Sequence, residues 1–302
     1  MRGIAQFAMR GRMQAVMSVT VLAMLSLLLA PLSILSGAAV ALVSLRQGPR
    51  DGMLVITMST VASGVLSYLL FSDILPAIVF ALVVWMPVWV LALILRWSRS
   101  LALSLQAGVL MTLLLAGLFY LAVPQPADYW YELLREPMQQ LLANSQLSET
   151  GQDMDQITAS LAEWITAVMS AGFFLQLVAI LLIGRWWQAL LFNPGGFGQE
   201  FRELKFSRLM AIVAAPFFLW LILSQPPEWV LTLGLVMLSA YFIQGLAVTH
   251  GLLQTVKANT VWLIGIYVLL FIAMPYMMTA LAMTGFTDTW FNFRKRRESA
   301  NN

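Results

Sequence analysis

Long stretches without a charged side chain dominate the pattern of hydrophobic and polar positions along this chain. The first covers residues 13–45. Similar apolar runs follow at roughly residues 53–71, 74–95, 101–123, 165–183, 209–223, 229–249 and 261–283. A run of this kind predicts a membrane-spanning helix, because in hydrocarbon a helix satisfies its own backbone hydrogen bonds. The pattern therefore predicts an all-α fold, a polytopic transmembrane helical bundle of about eight or nine spans.

The composition agrees with a membrane protein. Of the 302 residues, 60% are hydrophobic and 10% are charged, and the mean hydropathy of +0.82 is far above that of soluble domains. We expect one integral membrane domain over residues 1–302, in contact with the lipid bilayer. The absence of cysteine excludes disulfides and thiolate metal sites. The basic N-terminus and the apolar run after it resemble a signal peptide, but the run is too long, so we expect an uncleaved first helix.

Residues 13–45 would form a helix of about 50 Å, although the hydrocarbon core of a bilayer measures about 30 Å. Pro31 near the middle of the run favours a break. Two interpretations follow, one long helix or a hairpin of two helices. With a hairpin and a cytoplasmic N-terminus, 12 of the 17 Lys and Arg residues lie inside, whereas a single helix leaves 8 inside and 9 outside. The positive-inside rule favours the hairpin, in a multi-pass protein of the bacterial cytoplasmic (inner) membrane.

The basic C-terminal tail does not fit this topology. Nine spans place Arg294 and the three basic residues after it outside the cytoplasm. Three explanations are open: the last segment is re-entrant around Pro275, a span is miscounted, or the earlier helices fix the orientation regardless of the tail.

An acidic segment over residues 124–164 is the long connection between two predicted spans. It carries seven acidic side chains against the single Arg135, and the hairpin topology places it outside the cytoplasm. Apolar side chains recur in it at helical spacing, at Trp130, Leu134, Met138 and Leu141 and again at Ile157, Leu161 and Trp164. We therefore expect two short amphipathic helices joined by the polar residues 144–156. They lie on the outer leaflet, close over an outward-facing cavity as a lid, or dock a partner.

The predicted spans contain no Asp, Glu, Lys or Arg. Such side chains carry proton relays, voltage sensing and ion coupling in membranes, so their absence argues against these mechanisms and against an intramembrane enzyme. The single histidine, His250, cannot form a metal site, and we predict no metal, no cofactor and no catalytic residue. The candidates for a substrate cavity are the neutral Gln176, Gln106 and Gln244, although a glutamine in hydrocarbon also commonly bonds a neighbouring helix.

A glycine-rich segment over residues 185–208 is expected to lie in the cytoplasm. The candidates there for contact with the membrane surface or a partner are Trp186, Trp187, Gly195, Gly196, Phe201 and Arg202, together with Arg46 and Gly48 from an earlier connection. The segment is no phosphate-binding loop, because no Gly-Lys-Ser/Thr ending follows its glycines. Phe197, Phe201 and Leu204 share one helical face, which either rests on anionic headgroups or couples the protein to a cytoplasmic partner. No basic patch with interleaved aromatic residues indicates nucleic acid.

One stretch resembles a known family. In residues 31–70, Pro31 leads into a short helix that ends at Arg46-Gln47-Gly48, and Gly52-Met53-Leu54 opens the next span. This order resembles the YybS-like family of uncharacterised bacterial polytopic membrane proteins, itself similar to the S components of energy-coupling-factor transporters and to the rod-shape protein MreD. The resemblance implies a helical core that begins with a hairpin, and either capture of a small molecule from outside or a scaffolding role in the envelope.

Two functions follow. The first is a transporter-like component that binds a small molecule among neutral polar side chains, and under it Gln176→Leu abolishes ligand binding. The second is a non-transporting membrane scaffold for cell-envelope or division machinery, with a stable protein partner and no small ligand. One departure from the S-component pattern speaks against docking to a shared transporter module. The first helix offers only Ala15 with Val19 at the small-residue spacing by which those proteins dock.

Overall fold

The computed structural model describes residues 1–144, 151–223, 226–256, 259 and 261–294. These residues form thirteen helices and no strand. In chain order the helices are α1 (Arg2–Ala8), α2 (Arg12–Ser26), α3 (Leu32–Arg46), α4 (Pro49–Phe71), α5 (Leu75–Ser98, with a π-helical turn at Phe80–Trp85), α6 (Leu101–Ala122), α7 (Pro126–Asn144), α8 (Gly151–Phe192), α9 (Gly196–Arg202), α10 (Arg208–Leu223), α11 (Glu228–Thr255), α12 (Val261–Ile272) and α13 (Met274–Phe291). The prediction of an all-α fold is confirmed.

Five helices among the described residues are long and apolar enough to cross a membrane. They are α4, α5, α6, α11 and the segment Met154–Phe192 of α8. Four apolar helices are shorter, namely α2, α3, α10 and α12. A helical protein with several membrane-length segments is therefore confirmed, whereas the count of eight or nine spans stays a prediction.

The first apolar run is broken where Pro31 predicts a break. α2 and α3 are separate helices on either side of residues 27–31. They pack together, since the Ser36 hydroxyl donates to the Val19 carbonyl at 2.8 Å and accepts from the Trp85 indole N–H at 3.1 Å. Each helix has 15 residues and measures about 22 Å, which is shorter than the hydrocarbon core of about 30 Å. The membrane hairpin therefore stays a prediction.

The second amphipathic segment of the acidic connection is not a separate helix. It is the beginning of α8, which continues without interruption through the predicted span and has 42 residues. A helix of this length measures about 63 Å, twice the hydrocarbon thickness. No Pro or Gly lies between residues 152 and 165, so nothing in the sequence ends the helix before the span begins. Of the expected joining residues 144–156, Asn144 ends α7 and residues 151–156 belong to α8, whereas residues 145–150 lie outside the described residues.

α7 packs along the beginning of α8 instead of lying on its own. The Trp130 indole N–H donates to the Thr166 hydroxyl at 2.8 Å, and the Tyr131 hydroxyl donates to the Asp155 carboxylate at 3.5 Å. The apolar face of α7 that the sequence assigns to the outer leaflet or to a lid thus has a partner within the chain.

α3 lies at the centre of the bundle. Its residues 38–43 are completely buried, and α2, α4, α5 and α8 pack around it. At Gly184, α8 comes so close to α3 that a β-carbon would lie 3.1 Å from the Ala38 carbonyl oxygen. Small residues allow this approach, on which helix association in a membrane depends, because lipid is as apolar as the side chains.

A second close contact joins α11 to α13. Gly245 faces the Leu281 carbonyl and Gly285 faces the Tyr241 carbonyl, and neither glycine has room for a β-carbon. Arg294, just beyond α13, contacts Gly251 near the end of α11. The two helices therefore cross at these glycines and finish at the same end of the bundle.

α12 consequently leads away from this end and α13 returns to it. The turn lies at Ala273, whose φ of −120° and ψ of 46° leave the helical region, and Pro275 follows. Arg294 donates a hydrogen bond to the Arg202 carbonyl, which places Arg294 beside the glycine-rich segment. Arg294 therefore lies at the same end as this segment, which disagrees with the placement that nine spans require and favours a re-entrant last segment or a miscounted span among the three explanations. The path out and back agrees with a segment that turns around near Pro275; residues 295–297 lie outside the described residues.

Candidate functional site

The connections at one end of the bundle carry most of its basic side chains. Contacts bring these connections together: Arg12 pairs with Asp51 at 2.8 Å, and Arg96 donates to the Leu45 carbonyl at 2.5 Å. We call this the basic end. Its basic residues include Arg12, Arg46, Arg50, Arg96, Arg99, Arg185, Arg202, Lys205, Arg208 and Arg294, and its acidic residues include Asp51, Glu200, Glu203 and Asp288.

The opposite end of the bundle carries the reverse charge, and we call it the acidic end. The Tyr120 hydroxyl shares a hydrogen bond of 2.8 Å with the Thr232 hydroxyl, which joins the end of α6 to the beginning of α11 there. Its charged residues in the described part of the chain are Asp73, Asp128, Glu132, Glu136, Asp155, Glu163, Glu228 and Arg135. The charge asymmetry that the sequence predicts is thus a property of the folded bundle.

A polar cleft of about 800 Å³ opens at the basic end. We call it the basic cleft. Its walls come from α9 and the residues after it, from the end of α11 and from the end of α13. It is lined by Gln199, Arg202, Glu203, Lys205, Gly251, Gln254, Thr255, Asn292 and Arg294. Three basic side chains from two distant parts of the chain therefore converge on one concave surface.

A buried ion pair fixes one wall of the basic cleft. Asp288, which is completely buried, accepts from Arg294 Nη2 at 2.8 Å, and Arg294 is 12% exposed. The other carboxylate oxygen of Asp288 accepts the Phe293 N–H at 2.8 Å. Asn292, with a φ of 50°, ends α13 in the left-handed conformation and lets the chain fold back to make these bonds. Arg294 then also donates to the Arg202 carbonyl, which couples α13 to α9.

Asp288 is a site residue that the sequence analysis missed, because its last predicted span ended at residue 283. A signal was present in the sequence. A carboxylate in the last turn of a helix meets the negative end of the helix dipole, and such a residue needs a cation nearby. Arg294, six residues later, is that cation.

Two of the three candidate glutamines hold the connection between α9 and α10. Gln244 Oε1 accepts the Phe206 N–H at 2.7 Å, while its Nε2 donates to the Gly285 carbonyl at 2.6 Å and to the Thr289 hydroxyl at 3.1 Å. Gln106 Oε1 accepts the hydroxyl of the next residue, Ser207, at 2.6 Å. Both amides form hydrogen bonds within the protein. The structure brings them together because their partners, Phe206 and Ser207, are adjacent residues of this connection.

Gln176 does not join the other two. It lies on α8, is half-buried, and its amide has no hydrogen-bond partner among the described residues. The role of Gln176 in a substrate cavity stays a prediction.

The candidates on the first connections and at the end of α8 differ in exposure. Arg46 is exposed and its guanidinium lies 4.3 Å from the centre of the Phe192 ring. Gly48, with a φ of +111°, packs beneath the Arg96 guanidinium. Trp186 is 37% exposed, but Trp187 is completely buried in the core, so only the first of the two tryptophans is available to lipid or a partner.

The glycine-rich segment folds onto the protein. Gly195, with a φ of +88°, lies directly before α9, and Gly196 begins that helix of seven residues. The Phe201 ring lies edge-on against His250, and Leu204 and Phe206 are both 2% exposed. Of the predicted apolar face, Leu204 is therefore buried, whereas Phe197 and Phe201 are partly exposed, and a contact of this face with headgroups or a partner stays a prediction. Arg202, on the same helix, lines the basic cleft.

The chemistry available at the basic cleft is electrostatic. Guanidinium and ammonium groups bind carboxylates and phosphates, and the amides of Gln254 and Asn292 add neutral donors. Within the described part of the chain, no three His, Asp or Glu side chains gather in a way that could hold a metal ion.

The fold and this site define a helical membrane protein with a polar, basic end. The chain belongs to the predicted membrane protein family DUF2232, whose model matches residues 16–289. No curated protein matches the chain significantly, and neither does any solved structure. The YybS-like assignment and the similarity to S components and to MreD stay predictions.

Proposed function

We propose that this protein is a transporter-like binding component of the bacterial inner membrane that takes up a small anionic molecule at its basic cleft. The convergence of Arg202, Lys205 and Arg294 on a cleft of about 800 Å³ carries the proposal. A volume of this size is typical of small-molecule sites. The expected cavity among Gln106 and Gln244 is replaced by this cleft, because both amides already bond the connection between α9 and α10.

The charges of the lining favour an anion. Asp288 neutralises Arg294, and Glu203 accepts a hydrogen bond from Gln199 at 3.0 Å. Beyond the Arg294–Asp288 pair, the formal charges of Arg202, Lys205 and Glu203 leave the lining with an excess of one positive charge. The Arg294 guanidinium is held by the Arg202 carbonyl and loses little conformational freedom on binding, which favours ligands with phosphate or carboxylate groups. The proposal assigns binding to the cleft and no catalysis, in line with the expectation that the protein is no enzyme.

The orientation belongs to the same proposal. The basic end faces the cytoplasm by the positive-inside rule, with the N-terminus on that side. α2 and α3 form the membrane hairpin, and α12 with α13 forms a re-entrant pair after eight crossings. This arrangement puts Arg294 inside with the other basic residues, in support of the rule.

The test is a binding panel on the purified protein in mild detergent. Phosphate esters, dicarboxylates and neutral analogues are compared by thermal shift and by calorimetry. We expect an anion to bind, and Arg202→Gln or Lys205→Gln to weaken it about tenfold or more. Arg12→Gln, an exposed arginine at the same end but outside the cleft, is the control. Binding of no anion, or equal weakening by the control, contradicts the proposal.

A scaffold is the second candidate, and an exposed apolar stripe on α8 favours it. Ile157, Leu161, Trp164 and Val168 recur at helical spacing, and each is about half exposed. They flank the acidic surface of α7 and α8 at the acidic end. Such a stripe with an acidic surround fits a protein partner outside the cytoplasm.

Copurification from native membranes tests the scaffold. Leu161→Glu is expected to release a partner that Ala159→Glu, an exposed position on another face of α8, retains. If both variants and the parent copurify with the same proteins, the stripe is not the docking surface.

A further inference from the structure

A second, smaller cleft lies at the basic end, between the end of α5, the last turns of α8 and the beginning of α9. Its volume is about 310 Å³. It is lined by Leu45, Leu95, Arg96, Arg99, Arg185, Gln188 and Glu200. We call it the arginine cleft. Only Glu200 opposes its three guanidinium groups, so the arginine cleft has an excess of two positive charges.

Each arginine is held differently. Arg96 Nη1 donates to the Leu45 carbonyl at the end of α3, which orients its guanidinium and leaves other N–H groups of the fork. Arg185 Nη2 pairs with Glu200 at 2.7 Å, and both side chains are mostly buried. Arg99 ends α5 with a φ of 54°, a conformation that a residue other than glycine rarely adopts. The three side chains thus line one small space from two helices.

Two exposed tryptophans indicate the depth of the arginine cleft relative to the membrane surface. Trp97 follows Arg96 and is 69% exposed, and Trp186 follows Arg185 and is 37% exposed. Exposed tryptophans in membrane proteins concentrate at the boundary between hydrocarbon and water, where lipid headgroups lie. Two of them beside two lining arginines, on two different helices, indicate that the arginine cleft opens at headgroup depth.

We propose that the arginine cleft binds the phosphate group of an anionic phospholipid from the leaflet at the basic end. Guanidinium groups pair with phosphate oxygens through two parallel hydrogen bonds, and basic pockets between membrane helices hold acidic lipid headgroups in this way. Without a lipid, the Glu200 carboxylate pairs with Arg185. The lipid phosphate replaces this carboxylate as the partner of Arg185. This inference goes beyond the proposed function, since the arginine cleft shares no lining residue with the basic cleft.

Replacement of Glu200 by the lipid phosphate also affects how α9 is held. Glu200 belongs to α9, and Gln199 and Arg202 on the same helix line the basic cleft. Release of Glu200 from Arg185 removes one of the contacts that hold α9 against α8. Burial raises the pKa of Glu200, which agrees with a carboxylate that loses hydration in this position.

The experiment compares lipid binding by native mass spectrometry and by thermal shift in neutral detergent. The probes are phosphatidylglycerol, phosphatidylcholine and, as the soluble source of the same chemistry, inorganic phosphate and glycerol 3-phosphate. The variants are Arg99→Gln, Arg185→Gln and Glu200→Gln. Arg135→Gln removes an exposed arginine at the acidic end and serves as the matched control.

We expect phosphatidylglycerol to bind and to stabilise the protein more than phosphatidylcholine does. Arg99→Gln and Arg185→Gln weaken this binding about tenfold, whereas Arg135→Gln leaves it unchanged. Glu200→Gln removes the competing carboxylate and strengthens binding by about threefold to tenfold. A gain of binding cannot arise from a misfolded variant, so Glu200→Gln keeps the test decisive if Arg185→Gln does not fold.

The soluble probes separate the two sources of phosphate. If inorganic phosphate or glycerol 3-phosphate binds with the same dependence on the arginines and phosphatidylglycerol does not, the lipid assignment is overturned in favour of a soluble phosphate ligand. Equal binding of both lipids, or an equal loss with Arg135→Gln, overturns the site altogether. Arg202 and Lys205 are unchanged in all these variants. Failure of anion binding at the basic cleft would therefore contradict the proposed function and not the lipid site.

Discussion

The basic end and the acidic end are held together by different chemistry. At the basic end, charged groups and amides bond the connections: Asp288 pairs with Arg294, Arg185 pairs with Glu200, and Gln244 accepts from a backbone N–H. At the acidic end, the contacts between helices are made by hydroxyl and indole groups, such as those of Trp130 and Thr166. The charges of the acidic end mostly face solvent. The basic end is therefore pre-organised, and the acidic end exposes most of its charged side chains to solvent.

Helix direction explains much of this difference. Arg46, Arg96 and Arg202 lie in the last turns of α3, α5 and α9, where the helix dipole is negative. At the acidic end, Asp128 and Glu228 lie in the first turns of α7 and α11. The residues that the positive-inside rule counts therefore also lie at helix ends whose dipole favours their charge.

Breaking the buried pair at the basic end is expected to give the largest effect. Asp288→Asn leaves the mostly buried Arg294 without its counter-charge, and we expect a loss of about 3 kcal/mol in unfolding free energy. Thermal or denaturant unfolding in detergent measures it. The matched control is Asp51→Asn, whose partner Arg12 is 64% exposed, with an expected loss below about 1 kcal/mol. Equal losses would show that burial does not distinguish the two pairs.

The crossing of α11 and α13 beneath the basic end gives the next largest effect. Gly245→Ala places a methyl group against the Leu281 carbonyl, so the helices must separate, and we expect a loss of about 1–3 kcal/mol. Gly172→Ala is the control, because a β-carbon there has no neighbour within 4 Å and alanine favours a helix. The yield and the midpoint of thermal unfolding are compared for both variants. Similar destabilisation of the two would mean that the crossing is not tightly packed.

The sequence was sufficient for the class of fold and for the grouping of basic residues. Runs without charge predict the helices, and the arginine count groups connections that the structure brings into contact. The extent of α8 was harder to predict, because the amphipathic residues 157–164 and the apolar run after them look like two elements by hydropathy. The absence of Pro and Gly between them was the better guide.

The partners of individual side chains were beyond the sequence. A glutamine in an apolar run indicates a hydrogen bond but not its acceptor, and Gln244 finds its partners in residues 38 to 45 positions away. The sequence does not distinguish Gly245 and Gly285 from other glycines, because their role depends on the crossing of α11 and α13. Arg294 lies at the basic end because α12 is short and the chain turns at Ala273, and neither feature is visible as a gap in hydropathy.

The two kinds of glutamine sharpen the comparison further. Gln244→Leu leaves the Phe206 N–H and the Thr289 hydroxyl without this partner, and we expect a loss of about 1–2 kcal/mol. Gln176→Leu removes an amide with no partner among the described residues, so we expect a change below about 0.5 kcal/mol and unchanged anion binding at the basic cleft. Unfolding midpoints and calorimetry measure both. Loss of ligand binding in Gln176→Leu would instead restore the substrate cavity on α8.

The smallest expected effect is the pH dependence of the Arg185–Glu200 pair. Burial raises the pKa of Glu200 above its ordinary value of 4.5, although Arg185 acts in the opposite direction. The folded protein therefore binds this proton more tightly than the unfolded chain does, and stability falls as the pH rises through the window just above 4.5. This contribution is absent in Glu200→Gln. The unfolding midpoint of the parent should therefore fall relative to that of the variant as the pH rises through this window, by less than about 2 °C. A difference that moves in the opposite direction would mean that Arg185 outweighs burial, and that Glu200 is a permanent counter-ion that a lipid phosphate would not readily displace.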